Sequence, residues 1–136
     1  MYGNITMYGN ITMYGGINME KIMYDLKDNA KKDKITVVQV RILEWFHKSC
    51  GNSYFAGTVE LYAGTRLVKR FLLPFQYGYG SHSEYVAIRA LGFRDMSSFR
   101  EFREENNIYY SYDKKEVRRE RDLKELEKWF VPFPEV

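Results

Sequence analysis

The 136-residue sequence has one cysteine, two histidines, three prolines and no long apolar run. The single thiol, Cys50, excludes an intramolecular disulfide framework and any zinc site built on several thiolates, and it suits a reducing compartment. The two histidines, His47 and His82, have no acidic pair at helical spacing to complete a metal site, and no cofactor is implied. No segment approaches the uninterrupted apolar length of a membrane span, and no charged-then-apolar leader ends in a small-residue cleavage pattern. These absences lead us to expect a cytoplasmic protein with no membrane partner. The sequons at Asn4 and Asn10 carry little weight on that reading, because glycosylation needs a secretory route.

Tyrosine is in excess. Aromatic residues make up 17% of the chain and twelve of them are tyrosines, while apolar (45%) and charged (29%) fractions are ordinary for a globular protein. Tyrosine suits half-wet surfaces where the ring packs and the hydroxyl finds a partner, so the excess favours a binding face. The net charge of +3 is small, but the cations Arg41, Lys48, Arg66, Lys69 and Arg70 outnumber Glu44 and Glu60 in the expected sheet. Such a patch can attract nucleic acid or an acidic protein, and is also common on proteins that bind neither.

Three near-copies of one hexamer (MYGNIT, MYGNIT, MYGGIN) open the chain, too few to stack into a solenoid. Residues 1–34 are read as this repeat plus a charged connector, Asp25 to Lys34, and residues 35–136 as a single α+β domain. Thr36 to His47 alternates as a strand, with Val38, Val40, Ile42 and Phe46 on one face and Gln39, Arg41 and His47 on the other. Tyr54 to Tyr62 and Arg66 to Phe75 follow as antiparallel partners across turns at Gly51 and Gly64, and Pro74 marks an edge or a strand terminus. Ser81 with Glu84 and Ser98 with Glu101 have capping-box spacing, so helices are expected from each serine. Ile108 to Tyr112 reads as a fourth strand, and Arg119 to Phe130 as a helix with Leu123, Leu126 and Phe130 on one stripe. The expected fold is a three- to four-stranded antiparallel meander packed against the Ser81 helix, with additional C-terminal helices on the same face.

The turn from Pro74 to Tyr85 (PFQYGYGSHSEY) joins a strand, two glycines and a helix start, a geometry that can hold an anion or simply turn a corner. It lacks the lysine of a nucleotide P-loop and the third glycine of a dinucleotide fingerprint, and a capping box would occupy two of the free amides. The catalytic inventory is a Cys50/His82 dyad at most, with nothing to align it, so no enzyme is expected. The residues chosen as contacts are Tyr77, Tyr79 and His82, with the basic side chains Arg66, Lys69 and Arg70.

Two resemblances attach to these residues. Three antiparallel strands and a helix, with a basic excess, are similar to the end of a double-stranded-RNA-binding domain, which implies a basic cluster at the start of that helix. Here Ser81, His82, Ser83 and Glu84 stand in that place, and no helix is read before the first strand. Gly51-Asn-Ser-Tyr54 followed by Pro74-Phe-Gln-Tyr-Gly-Tyr-Gly80, with Tyr85 five residues on, resembles small tailed-bacteriophage proteins of unassigned function that carry a GNTYH-like and a PFxYGYG turn. The match spans about residues 36 to 91, with Ser53 for the usual Thr and Phe55 for the usual His. It implies an intracellular protein made during infection and carries over no activity. The resulting expectation is a non-enzymatic protein that inhibits or redirects a host protein or nucleoprotein complex, such as a host-defence inhibitor. Direct RNA or DNA binding through a basic, tyrosine-rich sheet face is the alternative.

Overall fold

The computed structural model describes residues 21–129, with side chains through residue 126. The first element is a helix the sequence reading missed. The charged stretch from Asp25 to Lys34 is no connector: it forms α1 (Leu26–Asp33), capped by Asp25, whose carboxylate accepts from the Asp28 amide, and ended by Lys34 in the left-handed region. Its charges are solvated, but Leu26 and Ala30, one turn apart, are buried.

Strands β1 (Val37–His47), β2 (Asn52–Ala63) and β3 (Arg66–Tyr77) form the expected antiparallel meander. Gly51 and Gly64 take the positive φ that the two turns require. The β2–β3 register slips between Phe55 and Gly57, where β3 passes from Leu73 to Gln76. Pro74 lies within that irregularity on an edge strand, where its missing N–H does least harm.

The fourth strand departs from the meander. Helices α2 (His82–Ala90) and α3 (Met96–Asn106) carry the chain across the sheet, and β4 (Tyr109–Val117) joins on the far side of β1, parallel to it. The sheet is therefore mixed, in the order β3-β2-β1-β4. A parallel neighbour needs a long crossover, and α2 with α3 supply it.

The main core lies between one sheet face and helices α1 to α3. Val38, Val40 and Ile42 of β1 meet Phe55, Val59 and Leu61 of β2 and Phe71 and Leu73 of β3, under Leu26, Val86, Ile88, Leu91 and Phe99. Burial of each such side chain is worth about 1.5–3 kcal/mol. Phe46, assigned to this buried face, is 53% exposed, because it lies past the helical cover. The last helix, α4 (Glu120–Trp129), packs on the opposite face and not beside α2. Its Leu123 is fully buried apart from the main core, and Lys124 Nζ lies 5.3 Å from the centroid of Phe75, a ring stacked on outward-facing Tyr54. Phe130 lies outside the described residues.

Neither serine capping box forms. Ser81 occupies the N-cap of α2 with no side-chain bond, and the Glu84 carboxylate accepts instead from the Tyr110 hydroxyl at 2.6 Å. Helix α3 starts earlier than expected, capped by Asp95, whose Oδ1 accepts from Ser98 N at 2.8 Å. Arg103 on α3 lies with its guanidinium carbon 5.0 Å from the ring centroids of both Phe99 and Tyr110. These rings stabilise a cation whose Nε is buried without an acceptor.

Candidate docking surface at the tyrosine corner

The strand β3 ends at Tyr77, and the next residue fixes the corner. Gly78 N donates to Ser53 O at 3.0 Å, holding the turn against the start of β2. A Cβ at Gly78 would lie 2.5 Å from His82 Cδ2 and 2.7 Å from Phe55 Cε2, so the absent side chain lets the imidazole close over the backbone. Gly80 takes φ 64°, and His82 N donates to Tyr79 O at 3.1 Å as α2 begins.

This backbone leaves three large rings in water. Tyr77 is 54%, Tyr79 66% and Tyr85 40% exposed, and with Gly78, Gly80, Ser81 and His82 they line an open hollow of about 630 Å³. The rings brace one another, edge to face in three pairs and tilted between His82 and Tyr85. Tyr77 stands 5.8 Å from Tyr54 and 6.4 Å from Tyr79, while His82 lies 6.0 Å from Phe55 and 6.3 Å from Tyr85, centroid to centroid. Contacts of this kind hold the surface in shape without covering it.

Of the six chosen contacts, the structure brings together Tyr77, Tyr79 and His82. The basic three lie elsewhere. Arg66 begins β3, at the opposite end of the strand from Tyr77. Lys69 pairs with Leu61 of β2, and Arg70 holds the buried carboxylate of Glu60 at 2.8 Å, across from Arg41 at 3.5 Å. The Tyr62 hydroxyl donates to the same carboxylate at 3.0 Å, so much of the basic excess seen in the sequence is spent on one internal acid.

Other cations stand beside the corner. Arg89 donates to the Tyr85 hydroxyl at 3.2 Å and lies 5.5 Å from its ring centroid. Lys114 donates to Gly80 O at 2.8 Å and pairs with Glu44 at 3.5 Å. Arg89 follows Tyr85 at helical i,i+4 spacing and was open to discovery on that ground. Lys114 reaches the corner only through the parallel register of β4, which no local pattern announces.

Cys50 and His82 engage different neighbours and form no dyad. Cys50 lies in the β1–β2 turn with its Sγ 2.6 Å from Nδ1 of His47, whose ring stacks on Trp45 at 4.9 Å. Among the described residues no carboxylate or amide bonds this imidazole, and such a group is what orients a base in nucleophilic sites. Among the described residues no group of three or more His, Cys, Asp or Glu side chains could hold a metal ion. The tyrosines of β4 alternate. Tyr109 is 67% exposed, whereas Tyr110 and Tyr112 turn inward to Glu84 and Ser83. No continuous stacking row results. Among the described residues no helix is long and apolar enough to cross a membrane. No protein family, curated protein or solved structure matches the chain.

Proposed function

We propose that this chain is a non-enzymatic binding protein that docks on a host protein, alone or within a nucleoprotein complex, through the tyrosine corner, and inhibits or redirects it. The observation that carries the reading is the cluster of Tyr77, Tyr79 and Tyr85, exposed together around one hollow. Exposed apolar area of this kind is unfavourable in water, and aromatic residues are enriched where partners bind. The resemblance to small phage proteins supplies the expectation of a host target. The test is capture from bacterial lysate with immobilised wild type and with Tyr77→Ala/Tyr79→Ala, run with and without nuclease. The reading expects a nuclease-resistant protein retained by the wild type and lost on the double variant, which should melt like the wild type. Equal retention by both forms contradicts it.

Direct nucleic-acid binding is the second reading, favoured by one finding. With α1 before β1, the order α1-β1-β2-β3-α2 now includes the leading helix whose absence separated the sequence from a double-stranded-RNA-binding domain. The start of α2 still presents Ser81, His82 and Glu84 where that resemblance implies cations. This reading expects retention on heparin and an affinity that falls steeply with salt. Affinity for RNA independent of salt removes it.

A further inference from the structure

The sheet face that carries Val38, Val40 and Ile42 beneath the helices continues past the start of α2. Glu44 and Phe46 extend the same row, and Phe46 is left 53% exposed among the described residues. Ser53, opposite Phe46 on β2, and Glu116, beside Glu44 in parallel register on β4, complete the floor. Lys48 and Arg118 stand at the rim of a hollow of about 670 Å³. Lys114 links the hollow to the tyrosine corner: its Nζ donates to Gly80 O, which lines the corner, and pairs with Glu44, which lines the hollow.

Of the four charges that line the hollow, Glu44 alone is paired among the described residues. Among the described residues, Glu116, Lys48 and Arg118 form no ion pair. Two carboxylates side by side on neighbouring strands repel one another, and Lys114 answers only Glu44. The exposed phenyl ring is unfavourable in water, while the exposed charges around it are hydrated and set a pattern that a partner can match. A protein surface can cover the ring and complement both signs. A nucleic-acid strand would set its phosphates against Glu44 and Glu116.

We propose that this hollow is the second half of the docking surface, and that it seats one large apolar side chain of a protein partner against Phe46. On the partner, that side chain is flanked by a basic residue facing Glu116 and an acidic residue facing Lys48 and Arg118. The assignment rests on the reading of the tyrosine corner as a binding surface.

The probe is a displayed library of random dodecapeptides selected on the full chain, with enriched peptides titrated against wild type, Phe46→Ala, Glu116→Lys and Tyr79→Ala. All three side chains are exposed, and thermal melts establish that the variants fold. The expected peptides carry an apolar residue between opposite charges. They bind Phe46→Ala at least about tenfold more weakly, lose their preference for the basic flank on Glu116→Lys, and weaken on Tyr79→Ala as well. Affinity that Phe46→Ala leaves unchanged while Tyr79→Ala lowers it overturns the second hollow and leaves the corner standing. The converse pattern upholds the hollow and removes the corner. Failure to enrich any peptide, or displacement of the peptides by equimolar oligothymidylate, overturns the assignment of a protein segment.

Discussion

At Gly57 and Gly78 the fold tolerates only a hydrogen atom, for different reasons. A Cβ at Gly57 would lie 2.3 Å from the backbone oxygen of Arg41, whereas at Gly78 it would meet the side chains of His82 and Phe55. Backbone inside a sheet cannot withdraw, whereas at Gly78 the nearer neighbour, the exposed His82 imidazole, can swing away and only buried Phe55 resists. Gly78→Ala should therefore cost about 1–3 kcal/mol and Gly57→Ala more, as overpacking does where nothing relaxes. Urea denaturation of the two variants checks the ranking, and the reverse order contradicts it. Tyrosine protons supply a second residue-scale prediction. Burial, then the hydrogen bond to Glu84, then that carboxylate's charge, raise the Tyr110 phenol far above its ordinary pKa. Burial and Asp33 do the same for Tyr24, and burial and Glu60 raise Tyr62. In the unfolded chain a tyrosine releases its proton near pH ~10, so above that pH the unfolded state binds fewer protons than the native state. The stability these groups contribute is complete below pH ~10 and is lost as pH rises through the folded values. The melting temperature should fall progressively above about pH 10, less steeply in Tyr110→Phe, which has no proton to lose. Equal alkaline slopes in the two proteins would remove Tyr110 from the account.

Between elements, the fold exchanges local bonds for tertiary ones. Ser81 and Glu84 have the spacing to cap α2 locally, yet Glu84 turns to Tyr110, and Ser83 sits 2.7 Å from the Tyr112 hydroxyl. Both bonds join α2 to β4, the strand most distant along the chain from its neighbour β1. At an exposed helix start water can satisfy the free amides in place of a capping box, whereas a hydroxyl buried like Ser83 must find a partner within the protein. Tyr112→Phe leaves the Ser83 hydroxyl without its partner and should cost about 1–3 kcal/mol. Ser83→Ala made in the same chain removes the orphaned group, so the double variant should be milder than the sum of the single ones. Additive costs in a double-mutant cycle would mean that the two hydroxyls do not couple.

At the scale of the whole molecule, what could be read from the sequence divides by chain separation. Strands β1 to β3 were legible because each pairs with its sequence neighbour across a glycine turn, and alternation fixes the buried face. The partner and direction of β4 were not, because the crossover through α2 and α3 decides where Tyr109 to Val117 arrives. Helix α1 was hidden because Leu26 and Ala30 are its only buried residues among charges. The candidate site divides in the same way: the tyrosines of the corner lie within one turn, while Lys114 comes from β4 and Phe46 is exposed only because the helical cover stops short of it. The same separation bears on folding. Local hairpins close at small entropic cost, whereas β4 must be brought beside β1 after two helices. The transition state should therefore contain the β1–β2–β3 meander and lack β4. Val59→Ala, between Val40 and Phe71 at the centre of the meander, should mainly slow folding, with a φ-value of about 0.5 or more. Tyr112→Phe should mainly speed unfolding, with a φ-value near ~0. Stopped-flow chevrons in urea measure both, and a larger value for Tyr112 than for Val59 would mean that the parallel strand docks before the meander is complete.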